Sequence, residues 1–227
     1  MILTAIVLAA GRGVRLKSRL PKALIDVGGK PVIYYSLRVL NSHPKVGNII
    51  VVCNRDNIKR IERIRKKYVF RKVRKLILGG KERKDSVLNA IKAVALESDY
   101  VLIHDAARPA LNKGLVSACV DSAVKYGAAI AAVRVKPTIK ASKDGVWVKS
   151  TLERKQLWEA QTPQVFKKEL INRGYRGLRD KEVTDDSMLI ERLGRKVRLV
   201  TGSYSNIKIT TPEDLLFIRA IIKKVGQ

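Results

Sequence analysis

The sequence predicts an α/β fold, a mostly parallel sheet with helices on both faces. Three observations point to it. Short, continuously apolar runs recur along the 227 residues, as strands buried on both faces require. Segments with helical apolar spacing alternate with them through short links. The unusual residues cluster in the loops after Leu8, Leu78 and His104, on the carboxyl side of the strands, where such sheets bind ligands.

Residues 2 to 9 read as the first buried strand, followed by a basic glycine loop. "PVIYYSLRVLNSH" reads as a helix with Pro31 at its start. "VGNIIVVCN" is the second strand. Residues 56 to 68 place Ile58, Ile61, Ile64 and Tyr68 at helical spacing. "KVRKLILGG", "YVLIH" and "GAAIAAVRV" are strands, separated by helices over "RKDSVLNAIKAVALES" and residues 112 to 126. Residues 137 to 158 break the pattern with an Asp144-Gly145 turn between short extended runs, a projecting hairpin. So polar and isolated a hairpin is marginal alone and is expected to lean on something, a second subunit being one candidate. "TPQVFKKELINRGYRGL" reads as a loop and a helix, and "TDDSMLIERLG" as a helix capped by Thr184 or Asp185. "KVRLVTG" is a late strand, "NIKIT" a short strand carrying Lys208, and "TTPEDLLFIRAIIKKV" the last helix.

Hydrophobic residues make up 46%, enough for a sizeable core. With 47 Lys and Arg against 20 Asp and Glu, the net charge of +27 suits nucleic-acid binding, or an enzyme of anionic small molecules. The densest basic run spans residues 55 to 75; gathered on one face it would favour nucleic acid. The motifs ask for small anions, so no specific nucleic-acid partner is expected, only weak attraction at low salt. Cys53 and Cys119 lie in apolar runs without zinc spacing and read as buried thiols. No apolar leader precedes the first strand and no run reaches transmembrane length, so a cytoplasmic protein without a membrane partner is expected.

Three segments carry chemistry. In "LAAGRGVRLKSRLPKAL", Gly11 and Gly13 lack the third glycine of a dinucleotide loop. Instead, glycines let backbone amides cradle a triphosphate, Arg15 offers a planar fork and Lys22 a compact charge. In "LGGKERKDSVLNA", backbone groups at Gly80 and the Ser86 hydroxyl could read a base edge, or Asp85 and Ser86 could simply cap a helix. In "HDAARP", Asp105 could bind a hydroxyl or help hold magnesium on phosphates, and Arg108 could be structural or contact an acceptor. Neither His43 nor His104 pairs with a nucleophile, so histidine-centred catalysis is not expected. Thr138, Arg154, Thr162, Thr184 and Lys208 carry little information individually.

"LAAGRGVRL…PK", "GGKERKDSV", "HDAARP", "QTPQVF" and "NIKITTPEDL" occur in this order, with the hairpin between the third and fourth. Together they closely resemble the 2-C-methyl-D-erythritol 4-phosphate cytidylyltransferases of the non-mevalonate route to isoprenoid precursors, over residues 2 to 221. The resemblance implies a Rossmann-like α/β core with a protruding β-arm, and a homodimer in which each arm reaches the partner's site. It implies transfer of a cytidylyl group from CTP to methylerythritol phosphate, with Mg2+ held mainly by the CTP phosphates. Residues 1–136 would form the first part of the nucleotide-binding core, 137–158 the arm, and 159–227 the remainder with acceptor-side residues. Arg15, Lys22 and Lys208 match catalytic cations. Ala10, Gly11, Gly13, Gly80, Lys81 and Ser86 fall on the nucleotide side. Asp105, Arg108, Thr138, Arg154, Thr162 and Thr184 fall on the acceptor side. The chain departs from the family pattern at Lys81, Pro137 and Ser205, each replacing an acidic residue. Ribitol 5-phosphate as acceptor, and a basic nucleic-acid-binding protein without catalysis, are the alternatives.

Overall fold

The computed structural model describes residues 1–11, 13, 16, 20–177 and 182–225, the last two by backbone alone. The core alternates strand and helix as expected: β1 (Leu3–Leu8), the small ladder β2 (Asp26–Val27) and β3 (Lys30–Pro31), α1 (Val32–Ser42), β4 (Val46–Cys53), α2 (Ile58–Lys67), β5 (Val73–Leu78), α3 (Arg83–Ala93), β6 (Tyr100–Asp105), α4 (Lys113–Tyr126) and β7 (Ala128–Arg134). The arm holds β8 (Lys140–Ala141) and β9 (Ser150–Thr151). The chain then returns through β10 (Trp158–Lys167), α5 (Lys168–Arg176), α6 (Ser187–Arg192), β11 (Arg198–Thr201) and α7 (Pro212–Val225).

Seven strands form one sheet in the order β11-β7-β10-β6-β1-β4-β5. The β1, β4, β5 and β6 pairings are parallel, as is β11 with β7, while β10 runs antiparallel to both neighbours. The two-residue period of β1 divides the core. Leu3, Ala5 and Val7 pack with Ile33 and Leu37 of α1, Ile61 of α2 and Cys119 of α4. Ile6 points the other way, to the cluster holding Val87 of α3, Ile171 of α5 and Ile190 of α6. A smaller cluster seats Ile218 of α7 against Val27 and Ile209. Both cysteines are buried free thiols, pushed up to about 12 by burial. Among the described residues, no helix is long and apolar enough to cross a membrane.

Four expectations need correction. The segment from Trp158 to Lys167 is not hairpin and loop but a ten-residue strand inside the sheet. Pro163 and the polar Gln161, Thr162 and Gln164 argue against a central strand. The sheet admits them because register slips between Ala160 and Gln164, where side-chain hydrogen bonds replace the ladder. Helix α3 stops at Ala93, not near Ser98, because the backbone turns extended at Val94 and tucks that side chain inward. Residues 206–210 form no strand; Ile209 N–H donates to Ala107 O at 2.9 Å, and Asn206 is held by side-chain bonds. At α6 the cap is Asp186, although the Asp185 carboxylate accepts the Met188 N–H at 3.2 Å.

Candidate active site

Strand order sets where the site forms. From β1 the chain builds outward through β4 and β5, then crosses back to lay β6 on β1's other side. The connections that leave the carboxyl ends of β1 and β6 therefore run in opposite directions, making the crevice where doubly wound sheets bind ligands. Register aligns the ends: Leu8 pairs with Val52 and Asp105, and Cys53 with Leu78. A cleft of about 840 Å³ opens there.

The loop after β1 brings Ala10 and Gly11 to the cleft wall. Gly13 adopts φ +70°, a left-handed conformation that favours glycine, and an added Cβ would lie 3.3 Å from Lys22 Cβ. Lys22 starts a short helical turn after Pro21, lines the cleft, and donates to Ile209 O at 3.2 Å. Arg15 lies outside the described residues.

The loop after β5 forms the opposite wall. A Cβ on Gly79 would come within 2.6 Å of Ser86 Oγ and 2.8 Å of Ala10 Cβ, so glycine lets the two loops meet. Gly80 N–H donates to Ser86 Oγ at 3.1 Å. Glu82 and Asp85 close a capping box on α3, so the capping alternative holds for Asp85 while Ser86 pins the glycine turn. Lys81 stands exposed on the cleft rim.

At the base lies a chain of charges. Asp105, 7% exposed, meets Lys208 Nζ at 2.6 Å and Arg83 Nε at 3.6 Å. Arg83 continues to Asp186 at 2.8 Å, and Tyr175 donates to Asp186 at 2.6 Å. Burial alone would raise the Asp105 carboxyl, but Arg83 and Lys208 outweigh it and hold it well below the usual range. Burial likewise opposes the Arg83 charge, yet Asp186 and Asp105 raise it. Sequence reasoning missed Arg83 and Asp186. Arg83 is the first residue of α3, next to Lys84 in a cation-rich stretch, and Asp186 comes from 103 residues away.

The remaining residues fall around this centre. Thr162 is buried, accepting the Asp105 N–H at 3.1 Å and bonding His104 Nδ1 at 3.0 Å. Arg108 is a buried brace, donating to Asn206 O at 2.7 Å and Ala160 O at 3.4 Å. Thr184 is exposed near α6 and does not line the cleft. Thr138 and Arg154 are exposed on the arm, Arg154 donating to Lys136 O at 2.8 Å. His104, fully buried, is pushed down to about 4 by burial. The basic run of residues 55 to 75 forms α2 and the edge strand β5; of it only Arg55 and Asp56 line the cleft.

A glycine loop and two lysines at the switch point of a mostly parallel sheet suit a nucleotidyltransferase, and the comparisons with known proteins agree. The family model of IspD, 2-C-methyl-D-erythritol 4-phosphate cytidylyltransferase, matches residues 3–224. A relative of that name from Geobacillus kaustophilus is 43% identical over 220 residues, 96% of each chain. Another, from Caldanaerobacter subterraneus subsp. tengcongensis, is 40% identical over 227 residues, covering 99% of this chain and 100% of the relative. The crystal structure of 4-diphosphocytidyl-2C-methyl-D-erythritol synthase from Anaerococcus prevotii is similar with a TM-score of 0.85, at 34% identity and 98% coverage of both chains. The chain belongs to the 2-C-methyl-D-erythritol 4-phosphate cytidylyltransferase family. Its activity is transfer of a cytidylyl group from CTP to 2-C-methyl-D-erythritol 4-phosphate.

Proposed function

We propose that the cleft between the β1 and β5 loops holds CTP, and that Lys22, Lys208 and Arg15 carry the transfer. One observation supports this most: the glycine loop, Lys22, Lys208, Asp105 and the Gly80–Ser86 hydrogen bond converge on one cleft at the switch point. Backbone donors at Ala10, Gly11 and Gly13 cradle the triphosphate, while Gly80, Lys81 and Ser86 face the nucleoside. The acceptor's phosphate oxygen attacks the α-phosphorus in line. A P–O bond forms to it as the bond to the β-phosphate oxygen breaks, and pyrophosphate leaves with that electron pair. The nucleophile is already an anion, so no general base is needed. That agrees with His104 lying buried between Ser36 and Thr162. The barrier is repulsion between two anions, which Lys22 and Lys208 offset.

Among the described residues, no group of three or more His, Cys, Asp or Glu is placed to hold a metal. Both Asp105 oxygens already face cations. Mg2+ would enter as part of the substrate, Mg-CTP, where it would neutralise phosphate charge.

Asp105, Thr162, Arg108 and Thr184 belong to the acceptor side, completed by Thr138 and Arg154 of a second subunit. The arm supports this reading. Its ladder is two residues per strand, and Val146, Trp147 and Val148 at its tip are 75%, 76% and 62% exposed. So small a ladder cannot hold itself, and exposed Trp and Val seek a covering surface. A second copy supplies one, giving a homodimer of three parts per chain: core 1–136, arm 137–158 and core 159–227.

The test is pyrophosphate release from CTP and Mg2+, with 2-C-methyl-D-erythritol 4-phosphate and ribitol 5-phosphate offered in parallel. Release with the first acceptor alone is expected. Release only with the second would overturn the acceptor assignment.

A further inference from the structure

The backbone of β1 leaves its ladder after Leu8, and the next two carbonyls need other partners. Two asparagines from the turn between β4 and α2 supply them. Asn57 Nδ2 donates to Ala9 O at 2.8 Å, and Asn54 Nδ2 donates to Ala10 O at 3.0 Å. Their own oxygens lock the turn: Asn57 Oδ1 accepts the Asn54 N–H and Asn54 Oδ1 accepts the Asn57 N–H, both at 2.9 Å. Asn57 is fully buried. Four bonds thus form a clip between the second strand's turn and the start of the glycine loop.

Peptide planarity gives the clip a consequence. In a trans peptide, the C=O of one residue and the N–H of the next point in opposite directions. Holding Ala9 O back against the turn aims the Ala10 N–H away from it; holding Ala10 O does the same for the Gly11 N–H. Ala10 and Gly11 both line the cleft. Among the described residues, neither N–H meets an acceptor within the protein.

We propose that Asn54 and Asn57 are positioning residues for the nucleotide triphosphate, acting through the carbonyls of Ala9 and Ala10 to aim two amide donors at it. The inference rests on the backbone of Ala10, Gly11 and Gly13 being the triphosphate cradle. Amide side chains are required, because each must donate to a carbonyl and accept an N–H at once. Aspartate keeps the acceptor, loses the donor, and sets oxygen against oxygen.

The experiment measures CTP binding by calorimetry, with Mg2+ and no acceptor, and initial rates with each substrate varied. The variants are Asn57→Asp, Asn57→Ala, Asn54→Asp, Gly13→Val and Ile61→Val. Loss of the clip should weaken CTP binding at least tenfold and raise its KM in step. The kcat and the acceptor's KM should stay within about threefold. Ile61→Val thins α2's packing without touching the clip and should lower the melting temperature while CTP affinity is unchanged. If Asn57 variants fail to fold, Asn54→Asp, on the partly exposed member, decides. Clip variants binding CTP within twofold of the parent, while Gly13→Val weakens it, would overturn the clip alone. Unchanged affinity in Gly13→Val as well would overturn the cradle and the clip with it.

Discussion

Replacing Lys208 by alanine removes a cation from the reacting centre and unpairs Asp105 on one side, and the two effects separate in magnitude. Removing the partner of a buried carboxylate costs about 3–5 kcal/mol, because the charge left behind is uncompensated. Here Arg83 remains at 3.6 Å, and the Lys208 side chain is 34% exposed, so the stability loss is discounted to roughly 1–2 kcal/mol. For a chain of this size that lowers the melting temperature by about 2–8 °C, leaving the protein folded at 25 °C. Catalysis loses a charge aimed at the transition state, about 3 kcal/mol or more, hence roughly a hundredfold in kcat. Pyrophosphate release at saturating substrates, beside a thermal melt of the same preparation, reads both. A variant with kcat within threefold of the parent would refute the role given to Lys208. A melting temperature lowered by 20 °C would refute the discount.

Lys22→Ala should likewise lower kcat by about a hundredfold, since Lys22 lines the same cleft and its ammonium donates to Ile209 O, one residue from Lys208; stopped-time pyrophosphate assays check it. Arg154→Ala should mainly raise the acceptor's KM, and mixing it with the slowed Lys208→Ala should restore activity at low acceptor only if arms cross between subunits. Trp147→Asp should shift the protein toward monomer in sedimentation. For pH, His104 is pushed down to about 4 from 6.5, so the unfolded chain binds more protons between those values. The stability is present above pH 6.5 and is lost as pH falls toward 4, by at most about 2 kcal/mol between pH 6.5 and 5. His43, also lowered by burial, adds in the same direction. Urea midpoints should fall over this window, and less steeply for His104→Gln.

Periodicity made the sheet legible because parallel strands buried on both faces are continuously apolar, as in β1, β4 and β6. It failed at β10, whose central positions are polar because they serve as hydrogen-bonding groups for the site: Gln161 holds Ser203 O, and Thr162 holds the Asp105 N–H. The cleft's glycines and lysines stood out because backbone approach and phosphate charge restrict residue choice. Arg83, Asp186 and the asparagine clip did not, because their meaning lies in partners far along the chain: 103 residues for Arg83 with Asp186, 48 for Asn57 with Ala9. An asparagine in a turn looks the same whether it closes its own turn or also anchors another.

The arm enters and leaves the sheet at one rung. Arg134, the last residue of β7, faces Trp158, the first of β10, and Val135 N–H donates to Leu157 O at 3.2 Å just beyond. Everything between those positions is a detour that begins and ends at adjacent points of the same ladder. A tight two-residue turn could close the gap without disturbing a strand of the core. The arm is thus topologically a cartridge: its length, tip and partner choice can be exchanged as a unit while the crevice at the far side of β6 keeps its shape.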